Sequence, residues 1–394
     1  MNKKSILIFL IFFICLSVFS EDNNDLIRIG VINVENLWDN DPYNNKAYDQ
    51  FDIKKSNWYE KGIIDRKIEN VLMQIKLMKA DIIGLVEIEW NASDPEKVFK
   101  IPVVINEQKT TFQEELEKDG FKEFIIGKQD SKESSIAVTT AIISKFKVIN
   151  NEIIDIISDI FKDSARDIQV IEIKCDKNSV SDNITIILSH WKSRNDKTYD
   201  DEKMRNKTAD EIRKYVNTLP TDKKIIVMGD LNSYYYEEEQ RLHLKTTGNE
   251  VDVYNGNTVY FYNLWYELKS ENRWSDQYDN KLNALMNILI NSSLYNGNGI
   301  NYKDNSFEVI GQNKNTDAGK ILLMKNKDGY YFPYRWEIIK KNNLFTHLGK
   351  GYSDHLPIVA EFYFTKEKIK NFNASSNKTE ISQPHEIIPI KDME

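Results

Sequence analysis

The stretch Val227-Met228-Gly229-Asp230-Leu231-Asn232-Ser233-Tyr234, VMGDLNSY, decides how this chain is read. It closes an apolar run, Ile225–Met228, with a glycine, an acid, a leucine and an amide. A strand ending in solvent requires no such order. A site that handles phosphate uses an acid and an amide side by side. Four other runs share the design of an apolar strand that ends in polar groups. They are VINVEN with Asn33 and Glu35, IIGLVEIE with Glu87 and Glu89, IILSHWKSR with His190 and Arg194, and GYSDHLPI with Asp354 and His355. Strand ends in layered α/β proteins gather in one crevice, where ligands sit.

The residue types suit metal-assisted phosphoester hydrolysis. A hard cation such as Mg²⁺ takes carboxylate and amide oxygens and keeps several waters. Glu87 and Asp354 are the candidates to hold it, with Asn33 and Glu35 near. Asp230 is placed to orient or deprotonate a water, and Asn232 to donate to a phosphoryl oxygen as charge develops. His355 and His190 suit stabilisation of that charge or protonation of a leaving oxygen. The chain has neither a cysteine cluster nor an HExxH pair, which argues against a zinc site.

Around these runs the spacing predicts strands at Leu26–Val34, Asp81–Val86, Ile136–Ile143, Ile168–Ile173, Ile184–Leu188, Ile225–Met228 and Ile358–Phe364. Helical spacing covers Gly62–Lys79 and Lys203–Leu219, and Phe112 with Leu116 marks a shorter helix. Strand–helix–strand therefore occurs twice, in 26–86 and in 184–228, like a duplicated half. Many strands with few helices predict an α/β fold of two sheets with helices packed outside. Tyr234–Thr258 and Asn291–Asn305 read as loops or insertions.

The N-terminus carries Lys3 and Lys4, an apolar run Ile6–Phe19, and then Glu21 and Asp22. That pattern predicts a signal peptide over residues 1–20, cleaved after Ser20, and an exported protein, secreted or periplasmic. The competing reading is an uncleaved membrane anchor. Lipidation at Cys15 fits less well, because bulky Ile14 precedes it. Removal of the leader leaves Cys175 as the sole cysteine, so no intrachain disulfide forms and stability must come from the core. The net charge of −8 makes the chain a poor non-specific binder of nucleic acid. It leaves phosphate chemistry open, since a bound cation supplies positive charge. Residues 366–394 have little to pack and read as a flexible tail.

Taken in order, VINVENLWD, ADIIGLVEIE, LSHWKSR, VMGDLNS and GYSDHLPI resemble the motifs of the endonuclease/exonuclease/phosphatase superfamily, the deoxyribonuclease I-like fold, over most of 26–364. NVENLWD followed by HWKSR is similar to its secreted bacterial branch. The resemblance implies one domain, residues 21–365, built as a four-layer α/β sandwich with two central, mostly antiparallel sheets flanked by helices. It implies Mg²⁺, with Mn²⁺ or Ca²⁺ as substitutes, and in-line attack of water on phosphorus.

Matched motif by motif, the resemblance puts Asn33, Glu35, Glu87 and Asp354 at metal positions. Asp230 and Asn232 become the GDxN pair, and His355 and His190 the catalytic histidines. Arg166 takes the place of a phosphate-contacting arginine, and Glu133 is a loose match for an acid that orients His190. One position departs. Where the family has an aspartate paired with the final histidine, ALMNILI puts Met286, and Asp276, Asp279 and Asn287 are the candidates to substitute.

The implied activity is an endonuclease on DNA or RNA, with Trp191, Lys192 and Arg194 as a possible grip on the substrate. Two alternatives are a phospholipid- or small-phosphoester-cleaving enzyme of the same fold and a catalytically weak binding protein. The aromatic stretch Tyr260–Ser270 leaves the lipid substrate open. No obligate protein partner is evident.

Overall fold

The computed structural model describes residues 26–42, 48–91, 93–128, 137–156, 166–177, 180–194, 199–278 and 281–365. The predicted leader 1–20, the tail 366–394, Glu133 and Asp279 lie outside the described residues.

Two seven-stranded sheets stack face to face. The first takes strands β1 (Leu26–Leu37), β2 (Ile82–Glu89), β3 (Glu123–Ile126) and β4 (Val138–Ser144). The second begins with β5 (Lys147–Ile154), β6 (Ile168–Lys177), β7 (Val180–His190) and β8 (Ile225–Asp230). It is completed by β9 (Thr246–Thr247), β10 (Phe261–Asn263) and β11 (Met286–Asn291). β12 (Gly299–Tyr302), β13 (Glu308–Val309) and β14 (Ile358–Thr365) return to the first sheet. Its order is β12-β14-β1-β2-β4-β3, with β13 also on β14, and the second runs β9-β10-β11-β8-β7-β6-β5.

Both sheets are mostly antiparallel around a parallel central pair, β1 with β2 and β7 with β8. A parallel pair needs a crossover helix, and each has one. Helix α1 (Ile63–Met78) joins β1 to β2, and α3 (Tyr199–Val216) joins β7 to β8. The twofold strand–helix–strand reading thus corresponds to two equivalent halves.

Alternation along the strands builds the layers. On β7 and β8, Ile186, Leu188, Ile226 and Met228 enter the core shared by the two sheets. Their neighbours Ile187, Ile225 and Val227 pack with Met204, Ala209 and Ile212 of α3. On the other side, Ile68, Val71, Ile75 and Met78 of α1 join the core of the first sheet. A short helix α2 (Phe112–Lys118), started by a capping box between Thr111 and Glu114, adds Phe112 and Leu116. The sheets approach so closely at Gly84 that a Cβ there would overlap Leu188 and Met228. The result is a four-layer α/β sandwich.

Two predicted loops carry structure. Asn291–Asn305 contains β12, an edge strand that Ile300 and Tyr302 anchor in the core against β14. Tyr234–Thr258 contains helical turns at Glu239–His243 and Glu250–Tyr254. Polar side chains hide the first from a reading of periodicity, because the residues it buries are Glu239 and Gln240.

Candidate functional site

Five chain segments meet where the two parallel pairs end. β1 breaks register between Asn33 and Leu37, and β2 breaks it between Val86 and Ile88. Glu35 (φ 50), Asn36 (φ 60) and Glu87 (φ 67) sit in the left-handed region, which non-glycine residues rarely adopt. Such bulges re-aim side chains, and here they turn Glu35 and Glu87 toward one crevice. β7 ends in His190, which is the register partner of Asp230 on β8. The final strand β14 is preceded by Ser353, Asp354 and His355.

One amide ties the sheets together. Asn33 Nδ2 donates to Glu87 Oε1 (3.0 Å) in the first sheet and to Asp230 Oδ2 (3.1 Å) in the second. Its Oδ1 accepts from Glu35 N, and its carbonyl accepts from Ser353 Oγ (2.7 Å). Asp230 is buried, and its Oδ1 accepts from Asn232 N (3.0 Å). Asn232 Nδ2 donates to the Trp191 carbonyl at 3.1 Å.

The two histidines carry opposite charge states. Burial works against a charge on His355, but Asp354, Asp230 and Asp276 overcome it and hold the ring as imidazolium. Its Nδ1 donates to Asp354 Oδ1 (2.9 Å), and Nε2 lies 3.4 Å from Asp230 Oδ2 without a hydrogen-bond partner among the described residues. His190 is neutral, because burial, Arg166 and His355 all push its pKa well down. Its Nε2 faces Glu87 Oε1 and Asp230 Oδ2, each at 3.9 Å, too far for a hydrogen bond. Its Nδ1 is buried with no partner among the described residues. Two like groups whose pKa values are driven apart are suited to different proton-transfer roles.

The carboxylates are uneven. Burial and Asp354 raise the Glu87 pKa. Burial alone would raise Asp354 too, but His355, Arg335 and Lys67 bring it down to about 2. Among the described residues, no group of three or more His, Cys, Asp or Glu side chains is arranged to hold a metal ion. Glu87 and Asp354 lie close enough for the Asp354 charge to raise the Glu87 pKa, and both present only oxygen donors. That donor set fits Mg²⁺, which binds through one or two carboxylates plus water and substrate phosphate.

Glu35 is differently employed. Its Oε1 accepts from Arg335 Nε (3.0 Å) and Nη2 (2.6 Å), and its Oε2 from Trp336 N (2.9 Å) and Asp354 N (3.1 Å). Burial and the Asp354 charge push its carboxyl up to about 7. Only the ionised form accepts all four donors, which fill the lone-pair positions of a carboxylate.

The structure thus brings Asn33, Glu87, His190, Asp230, Asn232, Asp354 and His355 together, with Glu35 at the rim. Arg166 lies beside them. Its Nη1 donates to the Trp191 carbonyl (2.9 Å), and its side chain bonds Tyr48, whose phenol burial keeps protonated. Of the described candidates for the Met286 departure, Asp276 lies beside His355 and acts on its charge. It is buried, forms an isolated antiparallel bridge with His355, and accepts from Leu285 N at 3.2 Å. Asn287 is spent elsewhere, donating to the carbonyls of Ser233 and Leu285.

The predicted substrate grip is corrected in two parts. Trp191 is buried in the α3-facing core, and Arg194 is held by Glu237 and the Asn232 carbonyl. Tyr48, Lys67 and Arg335 escaped the sequence reading. None ends an apolar run, and Arg335 stands 300 positions from the glutamate it holds.

A family model described as Endonuclease/Exonuclease/phosphatase family matches residues 28–364. No curated protein sequence matches the chain. Among solved structures, a Bacteroides thetaiotaomicron protein described by that same family name superposes with a TM-score of 0.49 at 11% identity, covering 87% of this chain and 99% of its own. D. rerio TDP2 complexed with single strand DNA product gives 0.43 at 14%, covering 86% and 98%. The human Nocturnin catalytic domain with bound sulfate anion gives 0.44 at 14%, covering 86% and 95%.

Proposed function

Since the chain belongs to the endonuclease/exonuclease/phosphatase family, we propose that its site is that of an exported, Mg²⁺-dependent phosphodiesterase acting on DNA or RNA. The observation that carries this reading is the Asn33 amide bridging Glu87 and Asp230. It closes strand ends from both sheets around one acidic crevice with a neutral and a charged histidine. Export is supported by the charged and apolar N-terminal pattern.

Glu87 and Asp354 would hold the cation, which would neutralise and polarise a phosphoryl oxygen. Asp230, fixed by Asn33 and by Asn232 N, orients a water for in-line attack and accepts its proton. His355 points Nε2, a charged donor, at the crevice and stabilises the negative charge that grows on phosphorus. His190, buried and neutral, positions the reacting groups, while the leaving oxygen takes its proton from His355 Nε2, which recovers one from Asp230 at 3.4 Å. Arg166 draws the substrate phosphate.

The lipid-cleaving alternative loses its sequence support, because Phe261, Tyr262, Leu264 and Trp265 are buried in the core. Purified protein should release acid-soluble fragments from DNA or RNA with Mg²⁺ and none with EDTA. Asp230→Ala should lower kcat by about a thousandfold or more. Equal activity of Asp230→Ala and wild type, or choline release from sphingomyelin vesicles without nucleic-acid cleavage, would overturn the reading.

A further inference from the structure

Arg335 sits at the rim of the crevice with half of its guanidinium committed. Nε and Nη2 grip Glu35 Oε1, and Nη2 lies 3.7 Å from Asp354 Oδ2. The side chain nevertheless remains 59% exposed, and Nη1 has no partner among the described residues. The backbone beneath it is clamped. Tyr352 N donates to the Tyr334 carbonyl (2.6 Å), Glu337 N to the Lys350 carbonyl (2.9 Å), and Trp336 N to Glu35. Gly351 passes so close to the Arg335 carbonyl that a Cβ there would clash, and its φ of 81 independently suits glycine. Below, Lys67 Nζ is buried and donates to the carbonyls of Glu35 (3.0 Å) and Tyr352 (3.3 Å).

A guanidinium that is oriented along one edge by a carboxylate offers its other edge in a fixed direction. Glu35, Asp354 and Glu87 gather beside Arg335, so a substrate phosphate lying there meets repulsion unless a cation faces it.

We propose that Arg335, held by Glu35, is the binding subsite for the phosphate next to the scissile one, and that it selects substrates carrying a chain of phosphodiesters. Glu35 then serves as the holder of Arg335 and of the Asp354 backbone, and no lone pair is left over for a cation. The inference rests on the phosphodiesterase reading for its substrate, but not for its test.

The experiment compares a 5′-fluorescein-labelled hexathymidylate with bis(4-nitrophenyl) phosphate, which has one phosphate only. Arg335→Gln should raise KM on the hexanucleotide about ten- to a hundredfold with a smaller change in kcat. Its loss of kcat/KM on the small diester should be at least about tenfold less. Arg335→Lys should recover part of the KM, since a point charge still attracts phosphate. Equal losses on both substrates would reduce Arg335 to a support for Asp354 and overturn the proposal, as would no loss on either.

Glu35→Gln/Arg335→Gln removes both charges, so it controls for the strain of a buried carboxylate left alone. With a melting temperature near wild type it should show the same split. Binding is read separately, by anisotropy of the labelled hexanucleotide in Ca²⁺, where Arg335→Gln should weaken Kd about tenfold or more. If wild type cleaves neither substrate, the phosphodiesterase reading fails, yet the anisotropy still decides Arg335. A wild type that binds no hexanucleotide, or binds it as Arg335→Gln does, sinks the proposal.

Discussion

Burial strips His355 of the water that would stabilise its charge, and Asp354, Asp230 and Asp276 make up the difference. Their positions in the chain show how this residue can work without the aspartate expected at 286. Asp354 is adjacent in sequence and Asp230 ends β8. Asp276 pairs with the His355 backbone through an antiparallel bridge. Burial raises the Asp276 pKa to about 6 with His355 opposing, so near neutral pH it carries charge toward the ring. Asp276→Asn keeps an acceptor for Leu285 N but removes that charge. It should lower kcat about a hundredfold or more on bis(4-nitrophenyl) phosphate while the melting temperature changes little. An unchanged kcat would show that Asp354 and Asp230 suffice. The reverse substitution is expected to be structural. Met286 is fully buried among Tyr262, Leu264 and Ile288, so Met286→Asp places a carboxylate without a partner in the core. It should cost about 3 kcal/mol or more in urea unfolding, with no gain in activity.

At the scale of the element, the hairpin formed by Ile338–Lys341 and Leu344–His347 is fastened to residues 50–57 through the Phe345 backbone and through His347. His347 Nδ1 accepts from Trp336 Nε1 (2.9 Å) and its Nε2 donates to the Gln50 carbonyl (2.7 Å). The Trp336 bond requires the neutral ring, because a proton on Nδ1 would confront the Trp336 N–H, whereas the Nε2–H bond to Gln50 survives protonation. Burial, with Lys67 adding to it, lowers the pKa to about 4, against the Gln50 bond. In the unfolded chain the ring titrates near 6.5, so there it binds protons that the folded ring refuses. The stabilisation is therefore complete above about pH 6.5 and is lost as pH falls toward 4. Between pH 7 and pH 5 wild type should lose about 2 kcal/mol more than His347→Asn, measured by urea unfolding. Parallel losses in the two proteins would count against this account.

The same scale explains what was legible in the sequence. β1, β2, β7, β8 and β14 stand out because central strands buried on both faces read as continuous apolar runs. Their terminal polar groups stand out with them, which is how Asn33, Glu87, His190, Asp230, Asp354 and His355 were found. β12 was missed because only two of its residues face the core and asparagines surround it. Trp191 was misplaced because an aromatic beside a catalytic histidine looks like a substrate contact, while the strand's alternation turns it toward α3. Arg335 and Tyr48 could not be read at all, since their places depend on contacts between segments far apart in the chain.

For the molecule as a whole, the site is a junction. The two sheets share a hydrophobic core along their length, but at these strand ends apolar contact gives way to Glu87, Asp230, Asp354 and Glu35. Asn33 is the hydrogen-bonded link between Glu87 and Asp230 across the gap. Without a cation part of the repulsion remains, since burial and then Asp354 raise the Glu87 pKa against Asn33, Arg166 and His355. A cation that binds only the folded chain adds RT ln(1 + [L]/Kd) to stability, about 1.4 to 2.7 kcal/mol at ten to a hundred times Kd. Mg²⁺ should therefore raise the melting temperature of wild type by a few degrees relative to EDTA, without substrate and independent of turnover. Glu87→Gln reverses the order. It relieves the repulsion and removes a ligand, so in EDTA it should melt at or above wild type, and in Mg²⁺ below it. The Gln amide also keeps the Asn33 contact, which separates loss of the ligand from loss of the bridge. A Mg²⁺ increment of equal size in both proteins would mean that the cation binds somewhere other than between the sheets.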